Sequence, residues 1–194
     1  MTDSNETPRS LLDRLARSPG ESDWRRLVDL YQPFIGRWLR QAGVPDADAD
    51  DLGQDVLSVV VREIPAFRHT ENRGAFRNWL RTVVVNRTRG FWRARQTGPQ
   101  QLGDVAVLEA LEDPASGLSG EWDREHDAHV AQRLLTALES EFTPTTWRAF
   151  RRQVVDGVKA AEVAAELGMT VNAVLVAKSR VLRRFRNEAE GIVD

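Results

Sequence analysis

Residues 73–95, RGAFRNWLRTVVVNRTRGFWRAR, contain the side chains of this chain that are best suited to binding a polyanion. The stretch holds seven arginines, no acid and four aromatic residues. Read as a helix, it divides into an apolar side and a cationic side. Phe76, Trp79, Leu80, Val83 and Val84 share the apolar side, whereas Arg77, Asn78, Arg81, Thr88, Arg89, Trp92 and Arg93 share the cationic side.

The cationic side suits nucleic acid, because guanidinium groups hold phosphates and an exposed aromatic ring stacks on an unpaired base. A basic helix that only faces water, with its aromatic residues in an ordinary core, would give the same pattern. On this stretch alone, both interpretations stand.

A second candidate lies at residues 159–186, KAAEVAAELGMTVNAVLVAKSRVLRRFR, and has the pattern of a helix-turn-helix. Small residues form a first helix, Gly168 permits the positive φ of a tight turn, and a basic helix follows. Val171, Val174 and either Leu175 or Lys178 are expected to face the first helix. Thr170 can cap the second helix, whose outward residues would read the major groove and hold phosphates: Asn172, Ala173, Lys178, Ser179, Arg180, Arg183 and Arg184. The alternative is an αα-hairpin within a helical bundle.

No pattern in the sequence indicates catalysis, a cofactor or a metal. There is no cysteine, no phosphate-binding loop and no nucleophile paired with a base. The aspartates at 46–55 lack the spacing and the glycine of an EF-hand loop. His126 and His129 are three residues apart, but no third ligand is near, so they are expected to be solvated. We therefore expect a protein that is not an enzyme.

Charge is strongly segregated along these 194 residues, although the net charge is only −2. Residues 44–56 carry five aspartates and no base, and residues 62–95 carry nine arginines and two acids, a charge of +7. Residues 96–127 hold eight acids and one base, a charge of −7, and residues 174–186 carry +5. This order indicates two basic modules that are separated by an acidic connector.

Helical periodicity recurs on both sides of that connector, so the predicted fold is all-α with two small helical domains. Residues 1–9 are expected to be a disordered tail, and 10–96 the first domain, with Pro33 kinking or splitting its long helix. Residues 97–122 are rich in Gly, Pro, Ser and acids. They predict a flexible acidic linker with about one helical turn near 105–111. Residues 123–190 form the second domain. No apolar run approaches the roughly 20 residues of a membrane span, and the N-terminus lacks a signal core, so we expect a cytoplasmic protein without membrane insertion.

Over residues 22–95 and 130–186 the chain resembles the bacterial sigma-70 family, in particular its small extracytoplasmic function type. The family pattern D-L-x-Q-E/D-V is matched by Asp51, Leu52, Gln54, Asp55 and Val56. The pattern F-R-x-W-L followed by Asn is matched by Phe76, Arg77, Trp79, Leu80 and Asn86.

The resemblance implies a sigma domain 2 in the first half and a sigma domain 4 in the second. Asp51, Gln54 and Asp55 would then bind the β′ subunit of core RNA polymerase. The arginine stretch and the loop before it would capture the melted non-template strand of the −10 element and hold a flipped base. For this role the resemblance implies Arg68, Asn72, Arg73, Arg77, Asn78, Arg81, Arg89, Trp92 and Arg93.

The helix-turn-helix would read the duplex −35 element and contact the β subunit, and an anti-sigma factor is a further partner that the resemblance implies. One position and one run of residues depart from the family pattern. Gly90 stands where members often have Asp, which predicts a looser helix end. The run 171–177 lacks an early basic cluster, so Leu175 and Val176 are expected to pack inward.

The sequence therefore predicts a sigma factor that directs core RNA polymerase to promoters and promotes melting, while the polymerase performs the chemistry. One alternative is a stand-alone helix-turn-helix regulator that binds duplex DNA as a dimer. Another is a helical adaptor that binds acidic proteins and no DNA. The −7 connector beside the +7 segment adds the hypothesis that the connector shields the basic modules in the free protein.

Overall fold

The computed structural model describes residues 10–67, 74–95 and 102–193. Over these residues the chain is all-α, as predicted, and has no strand. Short 3₁₀ turns at Ile64–Ala66 and Glu139–Glu141 follow the third and sixth helices. The helices are α1 Leu11–Arg17, α2 Glu21–Gln41, α3 Asp46–Glu63, α4 Ala75–Ala94, α5 Leu102–Glu112, α6 Gly117–Leu138, α7 Pro144–Val154, α8 Ala160–Leu167 and α9 Val171–Ala189.

The described chain divides into two compact units, and the division falls inside α6. The first unit runs from Ser10 to Ala131 and includes the C-terminal residues from Glu190 onward. The second unit is Gln132–Ala189. The first unit therefore continues past residue 96, where its end was expected.

The core of the first unit is built on α2, which packs against α3 and α4. Its inward side chains recur in steps of three and four, so one face of the helix is apolar. Pro33 lies within α2, and the helix continues across it without a break. The buried residues of this face are Leu27, Leu30, Tyr31, Phe34, Ile35, Trp38 and Leu39.

The expectation of a flexible linker over 97–122 is wrong for the described residues of that segment, although the helical turn expected near 105–111 lies within α5. α5 and the first part of α6 belong to the first unit, and α5 packs against α4. The physical reason is a sparse apolar set, Leu108, Leu111 and Trp122, whose side chains are at most 3% exposed. Burying these three side chains stabilises helices that the surrounding Gly, Pro and acids do not favour.

The second unit contains α7, α8 and α9 around a small core. Ala149, Val163, Val174 and Ala177 are buried between the three helices. Gly168 ends α8 with a φ of 63°, and the axes of α8 and α9 differ by 105°. This angle and the glycine turn are those of a helix-turn-helix, as predicted.

Among the described residues, no single helix has both the length and the apolar composition of a membrane span, and α8 and α9 reach that composition only as a bent pair.

Candidate nucleic-acid interface

The apolar side of α4 lies in the core of the first unit, as the sequence predicts. Phe76 and Leu80 are fully buried, and Val84 is 1% exposed. Trp79 is half-buried, with its ring 5.1 Å from that of Phe67 and 5.5 Å from that of Phe76. This packing fixes the rotation of α4, so the opposite side of the helix carries the arginines.

Arg77, at the start of the cationic side, is held by two carboxylates of α6. Its Nη1 donates to both oxygens of Asp127, at 2.9 and 2.7 Å. Its Nε forms an ion pair with Asp123 at 3.0 Å. Only 12% of the Arg77 side chain is exposed. The residue was expected to face outward, but in this structure it is a bridge between α4 and α6.

Arg81 was also expected to face outward, and the structure corrects this because the residue is only 6% exposed. Its guanidinium donates to the Asn78 side chain at 3.1 Å, to Ser119, and to Asp123 at 3.3 Å. Burial lowers the pKa of Arg81; neighbouring Asp123 opposes the shift, and Arg77 adds to it. A cation in such a position is stable because carboxylate and carbonyl oxygens surround it.

Arg89, two turns further along α4, pairs with Glu112 at the end of α5. The two guanidinium nitrogens donate to the two carboxylate oxygens at 2.5 and 2.8 Å. This is the bidentate geometry that makes arginine–carboxylate pairs strong and directional. Three arginines of the predicted strand-binding side, at 77, 81 and 89, are thus bound to α5 and α6.

Aromatic packing behind these ion pairs attaches α6 to α2. Trp122 is fully buried, with its ring 4.7 Å from that of Phe34 and 5.0 Å from that of Trp38. One turn on, His126 is also fully buried and stacks on Tyr31. The expectation that the two histidines are solvated is wrong, because α6 turns both of them towards α2. His129 Nε2 donates to the carbonyl of Leu30 at 2.7 Å.

The hydrogen bonds of His126 assign its tautomer. Its Nδ1 lies 3.0 Å from Asp127, and a carboxylate can only accept, so Nδ1 carries the proton. Nε2 then accepts from the Tyr31 hydroxyl at 3.2 Å. Burial lowers the pKa of His126, so the neutral ring is favoured. Burial would raise the pKa of Asp127, but hydrogen bonds from His126 and Arg77 lower it. Within the described ranges, no cluster of three or more His, Cys, Asp or Glu could hold a metal ion.

A groove of about 690 Å³ separates α4 from α3, and its walls include cations that are open to solvent. Arg93 was expected at the interface and is exposed. Asn86 and Arg87 line the same groove and are exposed, although neither was chosen from the sequence. The match of Asn86 to the family pattern was the available signal. Trp92 was expected to be an open stacking platform but is half-buried, with its ring edge-on to Phe91 at 5.0 Å.

Three residues expected in the strand-binding loop, Arg68, Asn72 and Arg73, lie outside the described residues, as does the tail 1–9.

Asp51, Gln54 and Asp55 form one exposed face of α3, while the neighbouring Leu52 and Val56 are buried. Other aspartates of this segment are paired within the chain. Arg40 lies 2.7 Å from Asp46 and 3.1 Å from Asp50, and Arg95 binds Asp48. The exposed face thus keeps the acids of the D-L-x-Q-D-V pattern at the surface.

In the second unit, Thr170 caps α9 by accepting from the backbone N–H of Ala173 at 3.1 Å. Val174 and Ala177 are the buried residues of the first turns. Of the expected outward residues, Asn172, Ser179, Arg180 and Arg183 are exposed, and Ala173 and Lys178 are half-buried.

Arg184 corrects a further expectation, because it pairs with Glu141 at 2.7 Å and with Glu188 at 2.7 Å instead of extending outward. The inward packing expected for Leu175 and Val176 is also wrong, since they are 47% and 40% exposed. Val171, expected to face α8, is 44% exposed. Residue 177, one turn of α9 beyond 174, occupies the inward position instead, and the small side chain of Ala177 fits there.

Residues 27–97, which cover most of α2 and all of α3 and α4, match the family model described as sigma-70 region 2. The RNA polymerase sigma factor CnrH of Cupriavidus metallidurans is 25% identical over 173 residues, which are 84% of this chain and 85% of that protein. The RNA polymerase sigma factor NccH of Alcaligenes xylosoxydans xylosoxydans is 27% identical over 185 residues, or 91% of this chain and 92% of that protein. Residues 27–97 therefore match sigma-70 region 2, and most of the chain is similar to RNA polymerase sigma factors.

Proposed function

We propose that this protein binds core RNA polymerase in the cytoplasm, directs it to specific promoters and promotes melting of their DNA. The observation that carries the proposal is the match of residues 27–97 to sigma-70 region 2, since this stretch holds both the acidic face of α3 and the arginines of α4. The polymerase supplies the chemistry, and this chain supplies binding and specificity.

The exposed face of α3 is the surface we assign to the β′ subunit. Asp51 and Asp55 project from it with Gln54 between them, above the buried Leu52 and Val56. Two carboxylates one turn apart on a helix complement a basic partner surface. Charges at the edge of an interface speed association and favour partners of opposite charge.

The cationic side of α4 is the surface we assign to the melted −10 strand. Arg93 is exposed in this structure, and Arg77, Asn78, Arg81, Arg89 and Trp92 lie along the same helix. Asn86 and Arg87 extend the assignment into the groove beside α3. The loop residues Arg68, Asn72 and Arg73 complete it, because a flipped base needs a pocket whose contacts offset the cost of unstacking.

The helix-turn-helix of the second unit is assigned to the duplex −35 element and to the β subunit. We assign Asn172 and Ser179 to base edges, together with Thr170 and Ala173 at the start of α9. Lys178, Arg180 and Arg183 are assigned to phosphates, and Arg184 supports the helix through Glu141 and Glu188. An anti-sigma factor is a further proposed partner.

Promoter opening in a reconstituted system tests this function. A randomised DNA library is selected with core polymerase plus the chain, and the selected DNA is probed with permanganate, which oxidises unpaired thymines. We expect reactive thymines only when both proteins are present. Tight binding of the chain alone to a palindromic duplex, without any effect of polymerase, would instead establish a stand-alone regulator.

A further inference from the structure

The cationic side of α4 already has a ligand within the chain. Carboxylates of Glu112, Asp123 and Asp127, here called the acidic row, bind the guanidinium groups at positions 77, 81 and 89. All of these residues belong to the first unit. The acidic row therefore occupies three of the arginines that are assigned to the promoter strand.

This contact is a built interface between helices. The side chains of Arg77 and Arg81 are only 12% and 8% exposed, and Arg89 is paired through both carboxylate oxygens of Glu112. Trp122 and His126, both fully buried, attach the same stretch of α6 to α2. This stretch of α6 is thus held by aromatic packing against α2 as well as by the ion pairs to α4.

Carboxylates and phosphates make the same demand on a guanidinium group, a planar pair of N–H donors. The donors that Asp127 and Glu112 occupy are unavailable to a phosphate, and the carboxylates also repel it. We propose that α5 and α6 close over the cationic side of α4 in the free protein, and that the promoter strand binds there only after they have moved away. This inference rests on the proposed function and adds an autoinhibited state to it.

With a closed state of this kind, the apparent affinity for single-stranded DNA is the affinity of the open state multiplied by the fraction of molecules that are open. Polymerase binding through α3 leaves the interface between α4 and α6 untouched, so the free chain can bind polymerase while it is still closed. The cover thus suppresses binding of the free chain to non-promoter single strands.

Charge removal on α6 gives the first test, using a mixed-sequence single-stranded oligonucleotide and fluorescence anisotropy. Asp123→Asn with Asp127→Asn removes two carboxylates that face α4 and keeps Trp122 and His126. We expect about tenfold tighter binding. Glu121→Gln with Glu125→Gln removes the same charge from the same helix, but Glu125 pairs with Arg37 of α2. We expect this control to change affinity by less than about twofold. Equal gains in both variants would mean that net charge alone acts, which overturns the closed state.

A reversible cross-link gives the second test and keeps every ion pair. Thr82 on α4 and Pro114 after α5 are exposed across a groove of about 340 Å³ between α4 and α5–α6. Because the chain has no cysteine, Thr82→Cys with Pro114→Cys can be joined selectively by a cleavable bismaleimide. Single-cysteine variants that carry a monofunctional maleimide are the controls.

With the link intact, we expect capture of core polymerase to be unchanged and both strand binding and promoter opening to be lost. Cleaving the link should restore both. A linked chain that opens promoters as well as the cleaved one overturns the closed state. If the cleaved and wild-type chains both fail to open promoters with core polymerase, the proposed function is wrong, and so is this inference, which rests on it.

Discussion

At the scale of single residues, the arginines of α4 differ in what their guanidinium groups touch. Arg81 is buried among oxygens of α6, whereas Arg93, near the end of the same helix, is exposed beside α3. Arg87, which belongs to neither list of the helical division, reaches solvent along the groove beside α3. The residue types thus show that this helix is cationic, and the contacts of each guanidinium group show which arginines are already occupied within the chain.

Leu175 allows a test of base readout in the −35 element. Its side chain is 47% exposed on α9, and apolar side chains in the major groove contact the methyl group of thymine. Replacing a contacted thymine by deoxyuridine should weaken holoenzyme binding by about 0.8 kcal/mol, or about fourfold. Leu175→Ala should abolish this response, measured by competition between thymine and uracil forms of the selected promoter.

Val154→Ala is the control for that measurement, because Val154 is similarly exposed at 41% but lies at the end of α7. It should respond to deoxyuridine as the wild type does. Leu175 would have no role in base readout if the wild type and Leu175→Ala lost the same affinity at every substituted thymine.

His126 predicts how the stability of the first unit depends on pH. The groups that face its ring are Tyr31 of α2, Arg77 of α4, and Asp123 and Asp127 of its own helix. Burial and the charge of Asp127 raise the pKa of Tyr31, so its hydroxyl stays neutral. The lowered pKa of Asp127 keeps that carboxylate charged. We therefore assign to His126 the pH dependence expected just below its ordinary pKa of about 6.5.

Because the folded pKa of His126 lies below its unfolded value of about 6.5, its contribution is complete above that pH and is lost as the pH falls below it. We expect the unfolding free energy to fall by at most about 1.4 kcal/mol per pH unit, the limit for one proton. His126→Gln should flatten this slope in thermal unfolding between about pH 7.5 and about pH 5.5. An unchanged slope in the variant would exclude His126 as the titrating group.

At the scale of elements, α4 continues through Gly90 to Ala94, although the glycine was expected to loosen its end. A Cβ added at Gly90 would meet no atom within 4 Å. Gly90→Ala should therefore stabilise the protein by about 0.5–1 kcal/mol, because alanine loses less backbone entropy in a helix. Gly168 is the matched control.

Gly168→Ala also meets open space, but its φ of 63° is unfavourable for alanine, so it should destabilise by about 1 kcal/mol. Chemical denaturation of both variants measures the two effects. A loss of stability in Gly90→Ala would show that the helix end depends on the freedom of the glycine.

Helices whose apolar residues keep a regular spacing were predictable from the sequence, including α3, α4 and the pair α8–α9. The helical part of the connector was not, because Leu108, Leu111 and Trp122 are too sparse among acids and glycines to give a local signal. Their partners lie far away in sequence: Trp122 packs on Phe34 and Trp38. The burial of Arg81 was not predictable for a similar reason, because its partner Asp123 is 42 residues away in the sequence.

At the scale of the whole molecule, a net charge of −2 conceals a charge pattern that the structure partly neutralises within the first unit. The +7 of residues 62–95 and the −7 of residues 96–127 meet through ion pairs between α4 and α5–α6. The exposed acids of α3 take no part in those pairs. This leaves the proposed polymerase-binding surface accessible in the free chain, while three arginines of the proposed strand-binding surface, at 77, 81 and 89, are paired with carboxylates.

Capture of purified core RNA polymerase by the tagged chain tests the proposed function most directly. Asp51→Arg with Asp55→Arg reverses the charge of the α3 face, and Asp29→Arg, on an exposed position of α2, is the control. We expect the wild type and the control to retain polymerase and the double variant to lose it by at least about tenfold, since like charges then oppose a basic partner surface. Failure of the wild type to retain polymerase, where a known sigma factor succeeds, would contradict the proposed function. Equal retention by the double variant would remove α3 as the docking surface.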